Sequence, residues 1–270
     1  MNGTLVPDDQ ARVPVTDHGL TTGDGVFEAL KVTGGVPFAL TRHLARLCAS
    51  ARGLGLAEPD LGQLRAGVDA VLDGAGHPDR ARIRITVTAG ESVLGSQRTA
   101  AAPVTIIQLA DLHDAAPTCD VITFPWPRSE RGALAGVKTT SYAENVFALS
   151  YAQQQGGAEA IFGNLAGNLC EGSGTNVFVV AGGRLVTPPL SSGCLAGVTR
   201  GLVIEWAGAV EENLPLAALA EAREAFLTGT SRDVQPIRSV DGVLLPAAPG
   251  PVTRKAADIF ADRSAADLDP

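Results

Sequence analysis

Lys138 stands in Gly136-Val137-Lys138-Thr139-Thr140, between a small-residue turn and the start of a helical pattern. A lysine in a polar pocket can form an imine with a carbonyl group once its proton affinity is lowered. The stretch Glu171-Gly172-Ser173-Gly174-Thr175-Asn176 begins 33 positions later and sets one carboxylate ahead of small residues and a strand. Such an acid, aimed at an aromatic ring nitrogen, keeps that nitrogen protonated and the ring electron-poor. Leu195-Ala196-Gly197-Val198-Thr199-Arg200 opens an apolar helical run. Backbone amides at a helix start, the helix dipole and a hydroxyl together make an anion site. Thr228-Gly229-Thr230-Ser231 could complete that cup, and Arg46, in His43-Leu44-Ala45-Arg46-Leu47, supplies a cation for a phosphate.

Each group also has an ordinary explanation. Most lysines and arginines solvate a surface, and the composition of residues 171–176 suits a polar hairpin turn. Thr199 could simply cap its helix. What sets the chain apart is the order in which the groups follow one another.

The elements that must position them read as two mixed α/β halves. A hairpin is expected from residues 4–6 and 13–15, a strand over 26–32 and a short strand over 36–40. Thr41 is placed to cap a helix that runs to Arg52 and ends at Gly53, and a second helix covers 61–72. Strands follow at 82–88 and 104–109. The polar segment 110–118 shows no periodicity, which places a first domain at 1–112, a linker at 113–118 and a second domain at 119–270. The second half predicts strands at 121–124, 158–162, 177–180, 184–186 and 225–228. Its helices are predicted at 142–155, 199–207, 216–222 and 251–263.

Composition narrows the class. Hydrophobic residues make up 45% and charged residues 19% of 270, as in globular domains rather than disordered chains. A net charge of −8 without a basic stripe speaks against nucleic acid. Cys48, Cys119, Cys170 and Cys194 form no CxxC pair, so neither a metal site nor a disulfide framework is expected. Met1-Asn2-Gly3-Thr4 carries no secretion signal, and no apolar run approaches the roughly 20 residues that span a bilayer. The expectation is a cytoplasmic protein that does not contact membranes.

In this order the motifs resemble the class IV, or fold type IV, pyridoxal-phosphate enzymes. That family includes branched-chain aminotransferases, D-amino-acid aminotransferases and 4-amino-4-deoxychorismate lyases. The resemblance also takes in Gly23-Asp24-Gly25-Val26-Phe27-Glu28, Thr187-Pro188-Pro189 and Pro236, and so covers nearly the whole chain. It implies an α/β (α+β) fold with a small N-terminal and a larger C-terminal α/β domain. Pyridoxal 5'-phosphate is expected in the cleft between them, and a homodimer whose active sites take residues from both subunits. By the same resemblance Lys138 is the Schiff-base lysine and proton shuttle, and Glu171 pairs with the pyridine nitrogen. Arg46, Val198, Thr199 and Thr230 match the phosphate-binding positions, beside Leu195 and Gly197. Tyr142 matches a tyrosine near the cofactor's phenolic oxygen.

The substrate, a small molecule bearing an amine, must be chosen elsewhere. Phe27 stands where D-amino-acid aminotransferases carry a tyrosine. Arg84 alternates with Arg82 on one strand face and falls near the carboxylate-binding arginine of branched-chain enzymes. Arg98 is a second candidate clamp, although Ala89 replaces the arginine that lyases carry before Gly90. The stretch from Lys138 to Asn145 is most similar to the lyase branch, so the expected reaction is release of pyruvate and 4-aminobenzoate from aminodeoxychorismate. Tyr142 and Pro236-Ile237-Arg238-Ser239-Val240-Asp241-Gly242 suit the alternative, a branched-chain or D-amino-acid aminotransferase. A third possibility is a cofactor-binding protein without turnover, against which the pairing of Lys138 with Glu171 argues.

Overall fold

Alternating apolar residues build the first of two sheets. Residues 1–270 are described by a computed structural model. Asp17 caps a single turn, His18–Thr21 (α1), by accepting the Gly19 amide. The chain then extends as Gly25–Thr33 (β1), turns at Gly34-Gly35, both at positive φ, and returns as Val36–Pro37 (β2). Leu40–Leu54 (α2) and Leu61–Gly74 (α3) lead into Arg80–Thr88 (β3) and Val104–Ala110 (β4). The antiparallel order is β2-β1-β3-β4. Leu40, Leu44, Leu47 and Ala51 of α2 and Leu64, Val68 and Leu72 of α3 cover Val26, Leu30, Ile83, Ile85 and Val87 of the sheet. Each such buried leucine or valine contributes about 1.5–3 kcal/mol. The opposite face of the sheet carries Phe27 and Ala29, paired in register with Thr86 and Arg84.

The second sheet begins with Cys119–Arg128 (β5). Ala143–Gln154 (α4), Glu159–Asn164 (β6), Leu169–Gly172 (β7), Asn176–Ala181 (β8) and Arg184–Thr187 (β9) follow. Val198–Ala207 (α5), Val210–Glu211 (β10), Ala225–Gly229 (β11), Asp233–Val240 (β12), Val243–Leu244 (β13) and Pro251–Ala266 (α6) complete it. The strand order is β10-β9-β8-β11-β12-β5-β6-β7, with β13 on β12. Val121, Ile161, Val177, Val179, Leu227 and Ile237 form its main core, and Phe124, Ala148, Ala152 and Phe162 a second one beneath α4. No helix is long and apolar enough to cross a membrane.

The two units are Met1–His113 with Val137–Tyr142 and Leu268–Pro270, and Asp114–Gly136 with Ala143–Asp267. Against the expected division into 1–112, 113–118 and 119–270, the units meet directly between His113 and Asp114, and two later segments join the first unit, each for a hydrogen-bonding reason. The Phe27 amide donates to Lys138 O at 3.0 Å and the Thr140 amide to Gly25 O at 2.8 Å, which lays residues 137–142 along β1. At the other end Asp269 accepts from the Thr41 amide at 2.8 Å and its hydroxyl at 2.5 Å, and Arg42 Nε donates to Pro270 O.

Several local expectations change. Residues 4–6 and 13–15 form no hairpin: Leu5 and Val15 are exposed, so no buried face rewards a strand, and Asp8–Gln10 is a short 3-10 turn. Thr41 does not cap α2. The cap is Ala39, at φ +54°, without a side-chain hydrogen bond, and α2 runs through Gly53 to a left-handed Gly55. Thr199 is likewise inside α5, which Gly197 opens. Only Val36–Pro37 of the strand expected at 36–40 pairs, and only Leu216–Leu219 of the helix expected at 216–222 forms, as a 3-10 turn.

Candidate active site

In the first unit three of the expected residues gather on one aromatic ring. Phe27, buried on the face of β1 away from α2, has Lys138 Nζ 4.4 Å and Arg84 Cζ 3.9 Å from its centroid. Tyr142 meets it edge-on, with centroids 5.3 Å apart. The backbone fixes Lys138 on both sides: its amide donates to Ser50 Oγ at 3.2 Å and its carbonyl accepts from Phe27. An amine, a guanidinium and a phenol thus share one apolar platform, where cation–π contact strengthens as water is excluded.

Arg46 lies on the α2 side of the same sheet. Its Nε and Nη2 each donate to the Glu28 carboxylate at 2.7 Å, and His43 Nδ1 sits 2.7 Å from Glu28 Oε2. Burial alone would raise the Glu28 carboxyl, but Arg46 and His43 together hold it down at about 2. Burial also pushes His43 below the usual histidine range, against the pull of Glu28, so the ring is neutral near pH 7 and donates from Nδ1. Arg46 is therefore half of a buried bidentate pair, an arrangement that orients its guanidinium.

Arg98 is tied to groups of its own unit. Its Nε and Nη2 grip Asp24 at 2.6 and 2.5 Å, while Nη1 and Nη2 donate to Gly55 O and Leu54 O at 3.0 and 2.9 Å. These bonds tie the loop after β3 both to Asp24, just before β1, and to the C-terminal end of α2. Arg98 also holds the Asp24 carboxyl below its ordinary range.

The second unit gathers the acid and the anion cup. Glu171, at the end of β7, is 5% exposed, and both its oxygens accept hydrogen bonds. Arg128 Nη1 reaches Oε1 at 2.5 Å, the Leu195 amide reaches Oε2 at 2.8 Å, and Asn176 Nδ2 lies 3.4 Å from Oε2. Three donors favour the ionised form. Asn176 also donates to Leu195 O at 2.9 Å. A Cβ at Gly197 would collide with Asn176 Oδ1, so only glycine lets this loop approach.

Val198 and Thr199 are the first two residues of α5, and no side chain caps the helix. Amides of a first helical turn have no partner within the helix and suit an anion. Gly229 lies against Gly174 and Thr175, so the loop that carries Thr230 adjoins the loop that follows Glu171. Thr228 Oγ1, buried beside it, has no hydrogen-bond partner.

Sequence reasoning missed Arg128, and it named Glu28 and Asn176 only as members of their motifs, without the pairing of Glu28 or the tie that Asn176 makes between loops; Thr228 it did place beside the cup. Glu28 carried a signal: in a strand whose other even positions are Val26, Leu30 and Val32, a lone carboxylate must find a cation. Arg128 gave none, because its pairing across β5, β6 and β7 is not local in sequence.

The amino-transferase class IV family model matches residues 25–240. A putative branched-chain-amino-acid aminotransferase of Methanocaldococcus jannaschii is 33% identical over 97% of this chain and 94% of its own length. The Escherichia coli branched-chain amino acid aminotransferase structure superposes with a TM-score of 0.89 at 28% identity, covering 97% of this chain and 92% of that one. A putative 4-amino-4-deoxychorismate lyase structure from Legionella pneumophila also reaches 0.89, over 97% of both chains, but at 21% identity it shows the shared fold alone.

Proposed function

Because the chain belongs to the class IV aminotransferases, we propose that it transfers an amino group from an amino acid to a 2-keto acid. Enzymes of this class use pyridoxal 5'-phosphate, which when bound supplies the electron sink for chemistry at the substrate Cα. The residues fit that group: α5 offers uncapped amides, and Thr228 presents a buried hydroxyl without a partner. Lys138 Nζ would hold the cofactor, Glu171 its ring nitrogen, Tyr142 its phenolic oxygen. Val198, Thr199, Thr230 and Arg46 would hold the phosphate, beside Leu195 and Gly197.

The observation that carries the reading is the cluster on Phe27. A substrate amino acid needs a cation for its carboxylate and a base for its α-proton. Arg84 and Lys138 supply these within 3.9 and 4.4 Å of one ring. Lys138 Nζ would take the Cα proton, hold it and return it. The aminodeoxychorismate lyase reaction would use the same lysine and acid and is the second reading. Asn145, one of the residues that suggested it, donates from Nδ2 to Ser173 O at 2.6 Å and so has a structural task.

Absorbance of the protein carrying pyridoxal phosphate separates the two. Addition of one L- or D-amino acid, without oxygen, should bleach the yellow band, and a keto acid should restore it. A band indifferent to every amino acid, with 4-aminobenzoate and pyruvate released from aminodeoxychorismate, would establish the lyase instead.

A homodimer belongs to the same proposal. Trp126 and Phe147 are more than half exposed although they pack on each other and on Phe124, Trp126 also on Tyr151, and Val146, next to Phe147 in the chain, is exposed too. Exposed aromatic clusters of this kind mark association surfaces. Light scattering should give twice the chain mass, and Phe147→Asp should reduce it to one.

A further inference from the structure

Arg128 approaches Glu171 from β5 and is held from below by a ring. Its Cζ lies 4.0 Å from the Phe162 centroid, and Phe162 is the register partner of Glu171 between β6 and β7. Nη1 donates to Glu171 Oε1 at 2.5 Å. Nε and Nη2 are buried without a hydrogen-bond partner, and the half-exposed Glu144 of α4 lies 3.5 Å from Nη2 as an ion pair. A guanidinium tolerates such incomplete bonding only where its charge is matched close by. Cys170 on its own strand and Cys194 before α5 also face Glu171. Burial raises both thiols, so they are neutral and add no charge. Arg128 is the cation in direct hydrogen-bond contact with the acid.

We propose that Arg128 is a positioning residue for the pyridine-nitrogen contact: it locks the rotation of the Glu171 carboxylate and keeps it charged. This rests on the reading of Glu171 given above. With Arg128 on Oε1 and the Leu195 amide on Oε2, the carboxylate has a fixed plane, and its remaining lone pairs are aimed rather than free. A ring N–H placed against it stays protonated because its acceptor is an anion. Removal of the cation frees the carboxylate to rotate and leaves its charge unmatched, so the ring proton is held against it less firmly.

The test compares Arg128→Gln, Arg128→Lys and Glu171→Gln with the native protein, each carrying pyridoxal phosphate. Arg128→Gln should retain the cofactor, since the amides of α5 are untouched. Its kcat should fall about 10- to 100-fold, the worth of one charge-assisted hydrogen bond, with KM nearly unchanged. Its cofactor absorbance should vary with pH across a range in which the native band is constant. Arg128→Lys, which keeps the charge and loses the planar fork, should restore the constant band with partial activity. If Arg128→Gln does not fold, the lysine variant decides: a native spectrum with reduced kcat supports the role. Native spectra and native pH dependence in Arg128→Gln, alongside altered ones in Glu171→Gln, would overturn the inference and leave the reading of Glu171 standing. Native spectra in Glu171→Gln as well would overturn both.

Discussion

The backbone amide of Leu195 donates to Glu171 Oε2 at 2.8 Å. Leu195 lies three residues before α5, so the acid and the uncapped helix start are joined by one hydrogen bond, and Asn176 adds a second tie to the Leu195 carbonyl. A single loop thus connects the group expected to meet a ring nitrogen with the amides expected to meet a phosphate. Anything that moves Glu171 moves the cup.

Glu171→Gln should therefore lower kcat about 100-fold or more, by removing the negative charge, while the protein stays folded. Glu171→Ala should also cost stability, because Arg128 and the Leu195 amide then lose their buried acceptor altogether, whereas glutamine keeps one oxygen. Thermal unfolding of the two variants separates the effects: the glutamine variant should melt within a few degrees of native, and the alanine variant clearly lower.

Arg84→Ala should raise KM for the amino acid about 10-fold or more, as expected when a guanidinium that grips a carboxylate is lost. Arg98→Ala should leave KM close to native and lower stability by about 1 kcal/mol or less, since its partly exposed pair with Asp24 is screened by water. Steady-state kinetics of the two variants checks both; a larger KM change in Arg98→Ala would reverse the assignment.

Asp269→Ala should destabilise the protein by about 1 kcal/mol, because Asp269 acts as the N-cap that Ala39 cannot provide for α2. Denaturant unfolding measures this directly. Asp269→Asn, which keeps an acceptor, should recover most of the loss.

Much of this was legible in local pattern. The apolar alternation of β1 and the helical spacing of Leu64, Val68 and Leu72 reflect burial on one face, which a sequence records residue by residue. Arg82 and Arg84 do share an exposed face of β3. What escaped depends on partners far apart in the chain. β12 contains Pro236 and polar residues, and is a strand because it lies between β11 and β5. β7 has four residues, too few to show a period. Lys138 sits beside Phe27 through backbone bonds that no local pattern announces. The cap of α2 comes from the opposite end of the chain, which is why Thr41, a good cap by type, is not the cap in fact.

The buried Glu28 predicts a pH dependence. Its carboxyl is held at about 2, below the ordinary 4.5, so its pairing contributes stability above the unfolded value and loses it as pH falls through the folded one. Acid unfolding followed between about pH 4.5 and 2 should thus be less steep in Glu28→Gln than in the native chain. Arg46→Met should shift the native transition to higher pH, because the carboxylate then loses the cation that keeps it ionised.

The central claim is that Lys138 carries the cofactor, and the sequence makes it easy to test, since Lys31 and Lys255 are the only other lysines. Borohydride reduction of the protein loaded with pyridoxal phosphate, followed by peptide mass analysis, should place one phosphopyridoxyl group on Lys138. Lys138→Ala should take up no covalent label there and lose turnover about 10³-fold or more. A label on Lys31 or Lys255 with Lys138 unmodified, or full activity in Lys138→Ala, would contradict the account.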